Sequence, residues 1–239
     1  MSGWALVEKE FLSLLRGWRM VAFLAATAIL ASGFIIFITT TQKAALPKVN
    51  IEAAGFFVSL QTVLCLGLFA SDMIASSAME GTLQLYLLLP RKRRSVLLAK
   101  FVPPIICYLL GIAMFSLIVA SIPNGTAFMK LWFASVAVDT LLFFALLFLV
   151  SFISVSSKGT SGPITALVTL MLLLFFSPFI PLNLAFLDPI NPFAYGYDLI
   201  KDLSNGTLDN SMPAGVLVVI MLVFAALSFL IMARKEATE

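Results

Sequence analysis

The chain has 239 residues, of which 61% are hydrophobic and 11% charged, and its formal net charge at pH 7 is +3. Soluble domains contain about 45–50% apolar and about 25% charged residues, so this composition excludes a soluble globular protein and indicates an integral membrane protein. With no histidine and two cysteines, the chain cannot build a His-based zinc site, a Ser-His or Cys-His catalytic relay, or a cysteine cluster. Cys65 and Cys107 lie in apolar runs, where cysteine behaves as a small hydrophobic residue.

Residues 1–19 predict an amphipathic helix at the membrane interface. Trp4, Val7, Phe11, Leu14 or Leu15, and Trp18 recur at spacings of three and four, which places them on one helical face. Much of the remaining surface is polar or charged: Glu8, Lys9, Ser13, Arg16 and Arg19. Tryptophans at both ends and a polar opposite face are typical of a helix that lies in the interface. The alternative is a short irregular tail.

Six apolar runs are each long enough to cross a bilayer, which takes about 20 residues. We predict spans at Met20–Thr40, Gly55–Ser77, Phe101–Ile122, Leu131–Ile153, Pro163–Leu182 and Pro213–Ala233. An even number of spans places both termini on one side of the membrane. The sequence therefore predicts an all-α integral membrane protein in a single domain, residues 1–239.

The distribution of lysine and arginine predicts that both termini are cytoplasmic. In that orientation the cytoplasmic positive residues are Lys9, Arg16, Arg19, Arg91, Lys92, Arg93, Arg94, Lys100, Lys158, Arg234 and Lys235. The outer positive residues are then only Lys43, Lys48, Lys130 and Lys201. We expect a multi-pass protein of the cell membrane.

Acidic residues inside spans are costly and are therefore candidate functional residues. Asp139 lies within span four, where it can line a polar pathway, pair with Lys130, or accept a hydrogen bond from a neighbouring helix. Asp72 lies near the inner end of span two, where hydration explains it more simply. The pair also suggests an intramembrane aspartyl protease, but the GxGD motif is missing and Asp198, in the Tyr197-Asp198 pair, falls outside the membrane.

The outer segment between spans five and six is apolar yet rich in proline: Pro178, Pro181, Pro189 and Pro192. Proline blocks a continuous helix, whereas the apolar content favours burial. A re-entrant hairpin of two half-helices satisfies both tendencies if its backbone ends are buried in protein. An ordinary surface loop is the alternative.

The segment "SAMEGTLQLYLLLPRKRR", residues 77–94, predicts a short cytoplasmic helix after span two. Ser77 and Glu80 fit the S-x-x-E capping box, and Pro90 ends the helix. Its surface is too apolar for water, so it either docks into a groove of a partner protein or lies on lipid, where the basic run contacts anionic headgroups. The sequence alone does not distinguish docking into a partner protein from binding to lipid.

The run "EGTLQLYLLLPRKRRSVLLAK" resembles the segment after the second span in permease subunits of ABC-2 type transporters. The family pattern is approximately E-x-G-T-L-E-x-L-L-x-x-P-x-x-R, followed by Gly-Lys at the start of span three. Glu80, Gly81, Thr82, Leu83, Leu87, Pro90, Arg93 or Arg94, and Lys100 fall on this pattern. Gln84 replaces the second acid and Ala99 replaces the glycine. The Lys9-Glu10 pair, the proline-rich outer segment and the basic tail are also similar to the family.

The resemblance implies a division of the chain into four parts. Residues 1–19 would form the connecting helix, 20–77 spans one and two, 78–99 the cytoplasmic coupling segment, and 100–239 spans three to six. Within the coupling segment, the helix Ser77–Pro90 would bind a cleft of a separate ATPase subunit. Its contact residues would be Glu80, Gly81, Thr82, Leu83, Gln84, Leu87, Pro90 and Arg93. The prolines of the outer hairpin would form a gate.

The implied function is the permease subunit of an ABC exporter that moves amphipathic cargo. The chain would catalyse no reaction and bind no metal or cofactor itself, since it has no GxxxxGK[ST] loop. ATP and Mg would bind the partner ATPase. Further partners would be a second permease copy or a homologue, and membrane lipid, but no nucleic acid. Two alternatives stay open: a stand-alone transporter or channel that uses Asp139, and a haem-exporter-like subunit of cytochrome c maturation.

Overall fold

The computed structural model describes residues 7–12, 17–41, 47–70, 93–121, 125–156, 162–176, 191–205 and 212–234. These residues are helical almost throughout and contain no strand, which confirms the all-α prediction for the described part of the chain. Residues 7–12 form a short helical segment, which we call the N-terminal segment. The following helices are α1 (Trp18–Thr41), α2 (Pro47–Cys65), α3 (Arg93–Ser121), α4 (Gly125–Ser156), α5 (Gly162–Phe176), α6 (Pro192–Asn205) and α7 (Met212–Arg234).

Among the described residues, four helices are long and apolar enough to cross a membrane. Their spanning stretches are Trp18–Phe37 in α1, Leu98–Ser121 in α3, Trp132–Ser156 in α4 and Met212–Ile231 in α7. Two shorter apolar stretches, Gly55–Phe69 and Thr165–Phe176, match predicted spans two and five. The described part of the chain is therefore helical, with helices of the length and composition of membrane spans, and the full six-span topology stays a prediction.

The helices begin earlier than the apolar runs that predicted them. The helix of span two begins at Pro47 rather than Gly55, and that of span four at Gly125 rather than Leu131. Hydropathy marks only the part of a helix that lies in hydrocarbon, whereas the backbone hydrogen bonds of a helix continue into its polar ends. Pro47 is well placed as a first helical residue, since the first N–H of a helix has no intrahelical acceptor.

Part of the predicted outer hairpin is a regular helix. Pro192 is the first residue of α6, which continues to Asn205, beyond the proline-rich stretch. Pro178, Pro181 and Pro189 lie outside the described residues, so the re-entrant hairpin and its gate stay predictions.

Helix α4 lies at the centre of the bundle. It packs against α2, α3, α5, α6 and α7, and its contact with α7 is the most extensive. Buried residues run along most of its length: Trp132, Ser135, Asp139, Leu142, Phe143, Ala145, Leu146, Leu147, Val150, Ser151, Ser154 and Val155. The buried polar residues of α4, namely Ser135, Asp139, Ser151 and Ser154, therefore face other helices rather than lipid.

A π-helical turn after α2 and a proline pair within α3 lie at the same level of the bundle. The last residue of α2, Cys65, is followed by a π-helical turn at Leu66–Ala70. Opposite it, α3 contains Pro103 and Pro104, which have no N–H to donate within the helix. The Cys65 thiol donates a hydrogen bond to the Pro104 carbonyl oxygen at 3.3 Å. These irregularities lie on the two helices that flank the predicted coupling segment.

Candidate functional site

A group of polar side chains lies buried where α2, α3 and α4 meet. The central contact is between α2 and α4, where the Ser59 hydroxyl donates a hydrogen bond of 2.7 Å to Asp139 Oδ1. Asp139 is fully buried, at 0% exposure. It is the fifteenth residue of α4, about 21 Å from the start of the helix at 1.5 Å per residue. The carboxyl group thus lies near the middle of a long membrane helix.

Helix α3 contributes side chains at the same level of the bundle as Asp139. The Tyr108 hydroxyl and Thr140 Oγ1, next to Asp139, are 3.2 Å apart and form a hydrogen bond. Gln61 of α2 lies directly over Gly111 of α3, where an added Cβ would overlap the glutamine side-chain amide. We call the set Ser59, Gln61, Thr62, Tyr108, Ser135, Asp139 and Thr140 the polar layer.

Much of the polar layer has no hydrogen-bond partner within the part of the chain that the structure describes. The atoms concerned are Gln61 Oε1 and Nε2, Thr62 Oγ1, Ser135 Oγ and Asp139 Oδ2. Each is buried, and an unpaired polar group in an apolar medium costs several kcal/mol. This arrangement of α2, α3 and α4 therefore satisfies only part of the layer.

No cation compensates Asp139 among the described residues. Lys130, which the sequence offered as a partner, is exposed and forms no ion pair with it. The same residues contain no group of three His, Cys, Asp or Glu side chains that could hold a metal ion. Among the described residues, the partner of this carboxyl is therefore the Ser59 hydroxyl of a neighbouring helix and not a charged group.

We expect Ser59→Ala to lower the free energy of unfolding by about 1 kcal/mol, a typical value for a hydrogen bond between membrane helices. The variant removes the donor to Asp139 Oδ1, which leaves the carboxyl with still fewer partners. Denaturant unfolding of the purified chain measures the change. Ser32→Ala is the matched control, because the Ser32 hydroxyl is exposed and bonds to Ala28 of its own helix. Equal effects of the two variants would contradict the role given to Ser59.

An ion pair lies near the start of α3. Lys100 Nζ is 2.9 Å from Glu10 Oε1 and donates a hydrogen bond of 3.0 Å to Glu10 Oε2. Nearby, Val7 of the N-terminal segment packs against buried Val96 and Ala99 of α3. The N-terminal segment and α3 are thus attached to each other.

Asn191 positions helix α6. Its Oδ1 accepts a hydrogen bond from the Phe193 N–H at 3.0 Å, as an N-cap residue does, and its Nδ2 donates to the Leu174 carbonyl at 3.0 Å. One side chain therefore caps α6 and ties it to the last turns of α5. The Asn-Pro pair that opens α6 is a sequence signal for this cap.

The structure brings few of the predicted site residues together. Asp139 is buried in the polar layer, Pro192 begins α6 and Arg93 begins α3. Asp72 and the coupling residues Glu80, Gly81, Thr82, Leu83, Gln84, Leu87 and Pro90 lie outside the described residues, so their roles stay predictions.

The sequence analysis missed the residues around Asp139. The stretch Ser59-Leu60-Gln61-Thr62 interrupts an apolar helix with three polar side chains, which is the signal that was available. Tyr108 and Ser135 carry weaker signals, since single hydroxyl groups are common in membrane helices. Glu10 and Lys100 were each noted in the motif, but their pairing was not.

The sequence pattern of ABC-2 family transporter proteins matches residues 4–237, nearly the entire chain. No curated protein sequence matches the chain. The family match covers the N-terminal segment, which contains Glu10, and extends through α7. The chain is therefore a member of the ABC-2 family of transporter proteins.

Proposed function

We propose that this chain is the membrane-spanning permease subunit of an ATP-driven exporter, with ATP hydrolysis on a separate subunit. The observation that carries the proposal is the family match over residues 4–237. It is supported by the sequence, which has six apolar runs and no GxxxxGK[ST] nucleotide-binding loop. The chain itself catalyses no reaction, and ATP and Mg bind the partner ATPase.

The coupling element is the predicted helix Ser77–Pro90. It lies between α2 and α3, so any displacement of it acts on both helices. Its leucine-rich surface fits the apolar groove of a partner better than water. The π-helical turn after α2 and the proline pair in α3 support the proposal, because such irregularities are places where membrane helices change direction.

The polar layer supports a change between two arrangements of the helices. A permease alternates between states that differ by a few kcal/mol, and each state must be accessible from the other. Buried groups on Gln61, Ser135 and Asp139 that have no partner among the described residues raise the free energy of this arrangement. A rotation or shift of α2 or α3 against α4 that pairs more of them would lower the free energy of the other state.

The cargo is amphipathic, and the complete pathway requires two permeases. The surface of the described helices is apolar and includes Leu109, Leu117, Phe133, Leu170, Leu173 and Leu222. A pathway bordered by such side chains favours drug-like, peptide or lipid molecules over simple ions.

One chain with six spans leaves the pathway incomplete, so a second copy or a homologue completes it within the lipid of the cell membrane.

Co-purification tests the assignment to an ATPase-coupled complex. The tagged full-length chain is isolated from its native membrane in mild detergent, and bound proteins are identified by mass spectrometry. We expect a protein with a Walker A loop in near-equal amount. Glu80→Ala, in the coupling segment, should reduce its recovery, whereas Glu8→Ala, an exposed position of the N-terminal segment, should not. A complex that lacks any ATPase would overturn the proposal.

A stand-alone transporter that uses Asp139 is the second candidate. It is favoured by one observation, namely that Asp139 Oδ2 is buried without a partner among the described residues. Such a carrier would move its substrate without an ATPase, and Asp139→Asn would stop it. An ATPase-coupled permease would instead be inactive alone, whatever residue is at position 139.

A further inference from the structure

The attachment of the N-terminal segment to α3 involves two kinds of contact on one face. The Lys100 ammonium group contacts both carboxylate oxygens of Glu10, at 2.9 Å and 3.0 Å. The two side chains are only 13% and 11% exposed, so water screens the pair less than it screens a surface salt bridge. A charge pair of this kind is costly to open, because each partner would remain partly buried alone.

Apolar contacts fix the orientation of the segment. Val7 lies one helical turn before Glu10, and it packs against Val96 and Ala99, which are 3% and 2% exposed. On α3, Val96 and Lys100 are four residues apart and share a face. Two attachment points on each element prevent the rotation that a single ion pair would allow, so the segment and the start of α3 form one unit.

This unit connects two parts of the chain that are far apart in sequence. α3 begins at Arg93, which lies inside the predicted coupling segment 78–99 and three residues after its predicted helix ends at Pro90, and Lys100 is about 10 Å further along α3. The N-terminal segment precedes α1, which begins at Trp18. The ion pair therefore joins the start of α3 to the element that leads into α1, two positions separated by 90 residues of sequence.

We propose that Glu10 and Lys100 are positioning residues that transmit movement of the coupling segment to the N-terminal segment and so to α1. The proposal rests on the proposed function, since the movement originates in ATPase closure. When the coupling segment shifts, α3 shifts with it, and the ion pair carries the N-terminal segment along. Without the pair, ATP hydrolysis continues but moves α3 without α1.

Charge exchange provides the test. The variants are Glu10→Gln, Lys100→Gln, and the double variant Glu10→Lys with Lys100→Glu, which keeps opposite charges in contact. Glu8→Gln is the matched control, because Glu8 is on the same segment and is exposed. Hydrogen exchange of residues 7–12 in the purified full-length chain measures the attachment. We expect protection to fall about five-fold in each single variant, as for a partly shielded ion pair, and to return in the double variant.

Transport per ATP hydrolysed measures the transmission. The chain and its co-purified ATPase are reconstituted in vesicles, and fluorescent lipid is the transport probe. We expect each single variant to move about ten-fold less probe per ATP hydrolysed, the equivalent of ~1.4 kcal/mol of coupling, and the double variant to recover. A purely structural pair would change protection and the amount of folded protein, but not this ratio.

Three results would overturn the inference. Unchanged protection in the single variants would show that the pair does not hold the segment. Reduced protection with an unchanged amount of probe moved per ATP hydrolysed would show that the pair holds the segment but transmits no movement. A double variant that stays as impaired as the single variants would show that the charge pairing is not the cause. Wild-type vesicles that move no probe with ATP would instead overturn the proposed function, and the exchange measurement would still decide the attachment.

Discussion

Replacement of Gly111 by alanine is expected to destabilise the chain by about 1–3 kcal/mol, the usual cost of adding a methyl group to a well-packed interior. An alanine Cβ would overlap the side-chain amide of Gln61, which is only 1% exposed. Because Gln61 is enclosed, its amide cannot move into solvent, so either the side chain repacks inside the bundle or α2 and α3 separate. Small residues at helix contacts in membranes allow this close approach. Denaturant unfolding of the purified chain measures the effect.

Two further variants make the Gly111 result specific. Gly215→Ala, in the membrane helix α7, is the matched control, since a Cβ there would meet no atom within 4 Å. It should leave stability unchanged or raise it slightly, because alanine favours helix. The double variant Gly111→Ala with Gln61→Ala should recover most of the lost stability. If Gly111→Ala were tolerated as well as Gly215→Ala, the close contact between α2 and α3 would be wrong.

Gly81→Pro is expected to abolish ATP-driven transport while the chain still inserts and dimerises. Proline inside a helix costs about 3 kcal/mol or more, and Gly81 follows the capping box of the predicted coupling helix Ser77–Pro90. Glu80→Ala should have the same effect if Glu80 contacts the ATPase. Transport in vesicles that contain the ATPase measures the loss, and gel filtration in detergent checks the dimer.

Gly125→Pro is the control for the coupling variant. Gly125 is the first residue of α4, where a missing N–H breaks no intrahelical hydrogen bond. This variant introduces the same residue type at a helix start far from the coupling segment, and it should retain transport. Normal transport by Gly81→Pro would exclude Ser77–Pro90 as the coupling element, and loss of insertion would show that the residue is structural.

The helices of this protein could be predicted from hydropathy, but their ends could not. Apolar runs located the helices that contain Met20, Phe101, Leu131 and Pro213, because hydrocarbon requires side chains of that type. The six residues of α4 before Leu131 include the charged Lys130 and carry no hydropathy signal. Helix α6 escaped prediction as a continuous helix because it is amphipathic and follows several prolines.

The candidate site was only partly predictable because its contacts are non-local. Asp139 was identified from its charge alone, since an acid in a membrane helix is unusual. Its partner Ser59 is 80 residues away and uncharged, so nothing in the local sequence connects the two. The same holds for Glu10 and Lys100. Each lies in a recognisable motif, but only the packing of Val7 against α3 brings them together.

The most direct test of the central claim is transport by purified components in sealed vesicles. The chain is reconstituted alone, with its co-purified ATPase, and with both ATPase and ATP, and movement of a fluorescent lipid is followed. The account predicts transport only when chain, ATPase and ATP are all present, and none with an ATP analogue that cannot be hydrolysed. Transport by the chain alone, without ATPase or ATP, would contradict it.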